Sequence, residues 1–382
     1  MLKRLHLLLA LLILMVNAAM AQITTSGISG KITSDGENVI GATVTATHQP
    51  SGTVYRAVTN IDGRYTIQGM RPGGPYKVDI SYIGYKDKVI KNLNLSLGET
   101  ENISCSLQED AHQLQEVVVS GKAGLAASRT GAATSMTAEQ INNMPSITHG
   151  IADVARLNPQ LTVTNSGNMS FAGVNNRYNN FMIDGAANND VFGLASSGNN
   201  GGQAGAQPVS METIEQIQVS VAPFDVRQSG FTGGAINAIT KSGTNQFHGS
   251  AYYYGYNQDL IGTKYPYLDG TGYAPKYQKQ TQYNMGVTLG GPIIKNKLFF
   301  FANYERTNKE YPNLYGVDSG NSKVNTEQAK DILTMLQKIA EKQGVNFNDY
   351  YSNQDIYTKS DKAGLKLDWN INEFNKFAIR WS

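Results

Sequence analysis

Residues 363–371, A-G-L-K-L-D-W-N-I, alternate between apolar and polar positions along their whole length. The odd-numbered positions are all apolar, whereas Lys366, Asp368 and Asn370 stand at even-numbered ones. A period of two places the two sets on opposite faces of a β-strand. Because lysine and aspartate share one face, that face is not a dry core. The stretch therefore predicts a strand with one apolar and one wet face.

Four further segments complete the pattern: residues 283–289 and 376–382 alternate in the same way, and 247–256 and 298–306 are predicted strands. The connections alternate between long (257–282 and 307–362) and short (290–297 and 372–375). A soluble sheet with one wet face is an alternative. Alternating connection lengths favour an outer-membrane β-barrel, with short turns in the periplasm and long loops outside.

The aromatic residues fit the same interpretation. Tyr252, Tyr254, Tyr304 and Trp369 are expected at the aromatic girdles, where amphipathic rings lie at the lipid headgroups. Five strands do not close a barrel, and an open edge in lipid leaves backbone groups unsatisfied at several kcal/mol each. We therefore expect 246–382 to be the start of a truncated barrel and the chain to be a fragment.

The N-terminal residues are predicted to be a signal peptide, 1–21. Lys3 and Arg4 precede an apolar run, and Ala19-Met20-Ala21 has the form of a cleavage site. Without Lys3 and Arg4, basic and acidic residues are equal in number, and no basic cluster points to nucleic acid. The single cysteine, Cys105, excludes an intrachain disulfide or a cysteine-based metal site.

Residues 22–108 are predicted to form an all-β sandwich. Short β-branched or aromatic runs are separated by turn signals such as Asp35-Gly36 and Asp62-Gly63. The segments 30–33, 41–44 and 59–65 resemble the carboxypeptidase-regulatory-like domain, which implies a transthyretin-like fold. Some members of that family bind carbohydrate. With no ligand constellation in the sequence, a spacer role is favoured.

The linker, 109–122, contains one β-prone island. Its three consecutive valines are predicted to be an unpaired strand. Such a strand either docks on a neighbouring domain or is captured by a periplasmic partner through β-augmentation. The residues of this heptad are Leu114, Gln115, Glu116, Val117, Val118, Val119 and Ser120.

Residues 123–245 are predicted to be an α+β domain. Thr137 and Gln140 form a capping box that opens a short helix, and a second short helix is expected around 149–157. The stretches F-M-I-D-G (181–185), P-F-D-V-R-Q (223–228) and G-F-T-G-G-A-I-N (230–237) resemble the plug of TonB-dependent outer-membrane receptors, in its Oar-like branch. The motif residues are Asp184, Gly185, Phe224, Asp225, Arg227, Gly233 and Gly234.

This resemblance implies a receptor in the outer membrane of a Gram-negative, Bacteroidetes-like bacterium, with its N-terminal domains on the periplasmic side. Its implied partners are TonB, outer-membrane lipid and an extracellular ligand such as a carbohydrate, peptide or metal chelate. The heptad is then the TonB-binding strand. One departure is Ala172-Gly173, where the family has Arg-Gly, so a salt bridge from that arginine is not expected. Candidate ligand contacts are Asn175, Asn176, Arg177, Tyr178 and Phe192.

No motif indicates catalysis, and no cofactor is expected. The histidines show no metal-ligand spacing, and neither a phosphate-binding loop nor a nucleophile elbow occurs. A helix with one apolar face is predicted in the 307–362 connection, capped by Asn325 and Gln328 and ended by Gly344, packing on neighbouring loops. Two alternatives to energised import remain: a structural or adhesive outer-membrane protein, and a secreted carbohydrate-binding β-protein.

Overall fold

The computed structural model describes residues 24–109, 117–120, 132–146, 149–164, 169–190, 192, 195, 198–221, 232–260, 279–313, 325–345 and 355–382. The predicted signal peptide and the motif residues Phe224, Asp225 and Arg227 lie outside these ranges, as do Leu114, Gln115 and Glu116. Within them, no helix is both long and apolar enough to cross a membrane. The chain divides into two compact units, Met1–Gly249 with Thr288–Asn303 and Ala363–Ser382, and Ser250–Val287 with Tyr304–Lys362.

The N-terminal domain is a sandwich of two five-stranded sheets, which confirms the predicted fold class. In the first sheet, β1 is central, with β2 and β5 antiparallel to it and β8 and β9 parallel to it. The second sheet has the order β10-β7-β6-β3-β4. The strands are β1 (Ser26–Ser34), β2 (Glu37–Asn38), β3 (Thr43–His48), β4 (Thr53–Val58), β5 (Arg64–Met70), β6 (Gly73–Ser81), β7 (Lys88–Leu95), β8 (Thr100–Asn102), β9 (Cys105–Ser106) and β10 (Val117–Ser120).

The sandwich is held by one apolar core that both sheets fill. Ile28 and Ile32 from β1 pack with Val78 and Ile80 from β6, and all four are fully buried. Buried and more exposed positions alternate along these strands, so that one face of each sheet packs into the core. His48 also lies inside: its Nδ1 is 2.6 Å from the Ser51 hydroxyl, and burial lowers its pKa to about 3.

The sequence predicts sandwich strands at 27–33, 42–48, 54–59, 64–68, 76–82 and 102–107, and therefore misses β7, which completes the second sheet. It pairs with β6 on one side and with the linker strand β10 on the other. Val117–Ser120 runs parallel to Lys88–Lys91, so this part of the heptad is paired, and the prediction of an unpaired strand is wrong there. The docking alternative describes the observed arrangement.

The plug domain is built on a five-stranded sheet with the order β11-β16-β17-β14-β15. Both predicted helices form, the first opened by the Thr137–Gln140 capping box. The elements are β11 (Ala132–Thr137), α1 (Ala138–Asn143), α2 (Ile151–Ala155), β12 (Leu161–Val163), β13 (Met169–Phe171), β14 (Asn180–Ile183), β15 (Ala186–Ala187), β16 (Ile214–Val221) and β17 (Gly234–Thr240).

The two faces of the plug sheet differ in chemistry. Ile217 and Val219 of β16 face the apolar cluster that contains both helices. Gln216 and Gln218 alternate with them and point to the opposite face, yet they are only 2% and 6% exposed. The second face of the plug sheet is therefore polar and buried.

The C-terminal strands form a sheet in sequence order, β18-β19-β20-β21-β22. All five predicted strands exist, but β19, β20 and β21 are longer than predicted. Strand β19 continues through Gly290, so that the turn before β20 consists only of residues 295–297. The strands are β18 (His248–Asn257), β19 (Thr281–Ile294), β20 (Leu298–Tyr311), β21 (Ile356–Asn370) and β22 (Lys376–Trp381).

Within the second unit, the assignment of Tyr252 and Tyr254 to a girdle is wrong. The two rings lie together, 5.5 Å apart, and the Tyr252 hydroxyl donates to Glu305 Oε2 at 2.8 Å. They therefore lie on the polar face. Tyr253 lies on the other face, stacked on Tyr283 at 6.0 Å. Adjacent strand residues point to opposite faces, so a run of three tyrosines does not reveal which one meets lipid.

The helix predicted between β20 and β21 forms as α3 (Thr326–Lys342). Asn325 and Gln328 make the capping box, and Gly344 follows with φ +67°. Of its apolar stripe, Ala329 is buried, whereas Ile332, Leu336 and Ile339 are 40–54% exposed. Packing of the whole stripe on neighbouring loops is therefore not observed among the described residues.

Candidate functional site of the plug

The motif pair Asp184-Gly185 forms the tight turn between β14 and β15. Both residues have positive φ angles, 47° and 81°. Two successive left-handed residues are what a two-residue hairpin of the right twist requires, and aspartate followed by glycine tolerates them best. The local sequence therefore fixes the direction in which the Asp184 side chain leaves the plug.

The Asp184 carboxylate collects donors from three strands. Its Oδ1 accepts from the Thr240 amide at 2.9 Å, and its Oδ2 accepts from the Thr240 hydroxyl at 2.6 Å. Lys366 Nζ of β21 is 3.4 Å from Oδ1, and Arg380 Nη1 of β22 is 3.2 Å from Oδ2. Lys366 also donates to the Thr240 carbonyl at 3.0 Å. We call these four residues the Asp184 anchor.

The Asp184 anchor is shielded from solvent. The charged side chains of Asp184, Lys366 and Arg380 are between 11% and 19% exposed. A part-buried ion pair is screened less than an exposed one, and removing one partner leaves the others as uncompensated part-buried charges. The anchor therefore fastens the plug turn to β21 and β22, through contacts that separate without disturbing an apolar core.

Gly234 has a packing role. A Cβ atom at this position would overlap the ring of Phe171, which is fully buried in the plug core. Glycine thus lets β17 approach the β12–β13 hairpin (β12 pairs antiparallel with β13). Gly233 is similarly crowded, by Asn179 and Val174.

The candidate ligand residues meet in two adjoining segments. Asn175 caps the three-residue helical turn Asn176–Tyr178 by accepting from the Arg177 amide at 3.0 Å. The Asn176 amide donates to the Ala195 carbonyl at 3.4 Å, which joins this turn to the segment that contains Phe192. Tyr178 is 57% exposed and Phe192 is 86% exposed. Two aromatic side chains are thus presented on neighbouring segments.

No metal-binding cluster of three or more histidine, cysteine, aspartate or glutamate side chains occurs in the part of the chain that the structure describes. The Asn188-Asn189-Asp190 segment serves as a turn. Asn189 accepts from the Phe181 amide at 2.7 Å, and Asp190 accepts from the Phe192 amide at 3.1 Å. The Asn189 and Asp190 side-chain oxygens thus accept hydrogen bonds from backbone amides.

Three family models match successive parts of the chain. The carboxypeptidase regulatory-like domain matches residues 27–108, the TonB-dependent receptor plug domain matches 126–236, and an outer-membrane β-barrel domain matches 239–318. The chain therefore has the domain order of a TonB-dependent outer-membrane receptor. The Asp184 anchor thus joins a plug to strands of the receptor's barrel domain.

The receptor is 29% identical over 273 residues to the TonB-dependent transporter Oar of Myxococcus xanthus, covering 68% of this chain and 24% of that protein. It is 25% identical over 188 residues to a probable TonB-dependent siderophore receptor, PirA, of Acinetobacter baumannii, covering 45% and 22%. The chain thus spans about a quarter of the length of these relatives.

Among solved structures, the receptor resembles the outer-membrane transporter YddB from Escherichia coli, with 16% identity and a TM-score of 0.43. That match covers 63% of this chain and 31% of YddB. The siderophore receptor PirA from Acinetobacter baumannii matches with 19% identity and a TM-score of 0.39, covering 65% and 39%.

Sequence reasoning identified Asp184 but not its partners in the receptor. Lys366 and Arg380 appeared only as members of a polar strand face, and Thr240 did not stand out. The alternation of β21 and β22 did indicate that both cations lie on the side away from lipid. A part-buried carboxylate in the plug is stabilised by cations on the barrel-strand face that points away from lipid. This requirement could have linked Asp184 to Lys366 and Arg380.

Proposed function

We propose that the receptor binds an extracellular ligand and imports it through the plugged barrel with energy transmitted by TonB. The observation that carries this proposal is the Asp184 anchor. It holds a plug turn by charge and hydrogen bonds, so the plug is fixed at rest and can be displaced by a directed pull. A domain locked by apolar packing would resist such a displacement at much greater cost.

Ligand binding is assigned to the two aromatic-bearing segments at Tyr178 and Phe192. Exposed aromatic rings beside asparagine amides suit a ligand that combines apolar faces with hydrogen-bonding groups. That description fits a carbohydrate, a peptide or a metal chelate.

Energy coupling is assigned to the heptad 114–120. Strand β10 already pairs through its backbone with β7, which supports its ability to add to a second sheet. TonB would have to displace β7 from β10, or pair with the edge of β10 opposite to β7. Capture would then depend on backbone groups more than on side chains.

The turns of the sheet support a consistent orientation. The Asn370 side-chain amide donates to Thr53 of the sandwich, and the Asn296 turn bonds to Asn245, whose backbone amide donates to the Pro50 carbonyl. We therefore propose that both turns and the sandwich lie in the periplasm. The connections between β18 and β19 and between β20 and β21 are then extracellular.

A structural or adhesive outer-membrane protein is the second candidate. The observation that favours it is the docking of Val117–Ser120 on β7, since a strand that only joins two domains would do the same. Import and a structural role differ in whether TonB binds this strand.

The test is a pull-down of the full-length receptor with the periplasmic domain of TonB. Val118→Pro removes one backbone donor and fixes φ, so it should abolish binding, whereas Val118→Ala should retain most of it. Val118→Pro also weakens the competing pairing with β7, so lost binding does not result from tighter docking. If Val118→Pro binds TonB as well as the wild type, the heptad is not the coupling strand and the structural role is favoured.

A further inference from the structure

One end of the sandwich makes close contact with the plug sheet. The Leu97 amide donates to Gln216 Oε1 at 2.7 Å, and the Gln218 amide donates to the Leu97 carbonyl at 2.9 Å. Leu97 is fully buried, although it lies outside both apolar clusters of the described residues. The backbone of one sandwich loop thus covers the polar face of plug strand β16.

The same end of the sandwich also contacts strand β21. Thr53 Oγ1 accepts from the Asn370 amide at 2.9 Å, and Arg71 Nη2 is 3.4 Å from Asp368 Oδ1. The Arg71 and Asp368 side chains are 22% and 10% exposed, so this pair is partly desolvated.

The contact continues onto the turn between β21 and β22. Arg56 Nη1 lies 2.6 Å and 2.7 Å from the two Glu373 oxygens. The Lys376 ammonium stands 3.9 Å from the centre of the Tyr55 ring. In addition, the Pro50 carbonyl accepts from the backbone amide of Asn245, the last residue of the predicted plug domain, at 2.9 Å.

We propose that the sandwich is a retaining cap for the plug. Its docking face, formed by Pro50, Thr53, Tyr55, Arg56, Arg71 and Leu97, closes the polar face of β16 and fastens it to β21 and β22. This role replaces the spacer expected from the sequence, because a spacer does not require a partly buried arginine paired with an aspartate of β21.

The chemistry of the docking face indicates that the cap opens. Nearly every contact is a hydrogen bond, an ion pair or a cation–π contact, which is typical of surfaces that separate and reform rather than of permanent cores. Release of the cap would expose Gln216 and Gln218 to water, where both amides are readily solvated. The plug sheet is therefore free to move only after this contact opens.

The experiment uses the full-length receptor in cell envelopes, with Cys105 replaced by Ser. Thr53→Cys and Asn370→Cys are joined by a short thiol-specific crosslinker, and in a separate protein the labelling rate of Gln218→Cys by a maleimide is measured. We expect efficient crosslinking and slow labelling. Arg56→Glu with Arg71→Glu should cut crosslinking and raise labelling, each roughly tenfold, because both ion pairs become repulsive.

The matched control is Lys31→Glu with Arg64→Glu, an equal charge change at exposed sandwich positions away from the docking face; neither measurement should change. Combining Arg56→Glu with Glu373→Arg should restore crosslinking relative to Arg56→Glu alone. Heat-modifiable migration in gels verifies a folded barrel in each variant. Absent crosslinking in the parent, or fast labelling of Gln218→Cys that the reversals do not change, overturns the cap. No arm involves TonB or ligand, so the result is independent of the import proposal.

Discussion

The sandwich and the plug are both built on five-stranded sheets, but they reach stability by different routes. In the sandwich, two sheets turn their apolar faces toward each other and share one core. In the plug, a single central sheet has an apolar cluster on one face and buried amides on the other. Two of those amides, Gln216 and Gln218, hydrogen-bond to the sandwich loop at Leu97.

This difference shows which domain depends on its neighbours. A sheet with an apolar core of its own retains its favourable contacts when surrounding domains leave. A buried polar face loses hydrogen bonds when its cover leaves, but water replaces them at small net cost. The plug is thus suited to changing partners, and the sandwich to remaining folded.

The largest expected effect is at the Asp184 anchor. Asp184→Asn preserves the shape of the turn but leaves Lys366 and Arg380 as part-buried cations without a carboxylate, at a cost of up to about 3–5 kcal/mol, the figure for a fully buried pair. Pulse proteolysis of the full-length receptor across a urea series should show the plug opening at a clearly lower urea concentration. Asp79→Asn, which alters the more exposed Lys77–Asp79 pair, is the control and should change little. Equal midpoints for both variants would show that the anchor does not hold the plug.

Two smaller effects, both destabilising but unequal in size, distinguish the apolar core of the sandwich from the polar face of the plug sheet. Ile80→Ala in the sandwich core should cost about 2–5 kcal/mol, because a fully buried side chain leaves a cavity. Gln218→Met on the polar plug face should cost about 1 kcal/mol or less, because it removes one hydrogen bond together with a buried polar group. Urea titrations of the two variants provide the comparison. If Gln218→Met is as damaging as Ile80→Ala, the two faces do not differ as described.

Features set by short-range pattern could be predicted from the sequence. The capping boxes at Thr137 and Asn325, the turn at Asp184-Gly185 and the three alternating strands all depend on residues within a few positions of each other. Their physical causes, hydrogen-bond geometry and side-chain period, act locally.

Features set by tertiary contact could not be predicted in the same way. Lys366 and Arg380 are 182 and 196 residues from Asp184 along the chain, and no local pattern links them. Strand β7 was missed, although Lys88–Leu95 places Val89, Ile90, Leu93 and Leu95 inside, because it lacks a simple period and contains Asn92 with a positive φ. The pairing of β10 with β7 depends on a partner that was itself not recognised.

The claim that the plug depends on its neighbours is tested most directly by native-state hydrogen exchange of the full-length receptor. The exchange is measured peptide by peptide in increasing, sub-denaturing urea. Peptides from plug strands β16 and β17 should lose protection at lower urea than peptides from sandwich strands β3 and β6, since the plug opens by exchanging polar partners for water. Asp184→Asn should widen that gap by lowering the plug transition alone. A single transition shared by both domains, shifted as one by Asp184→Asn, would contradict the claim that the plug depends on its neighbours while the sandwich does not.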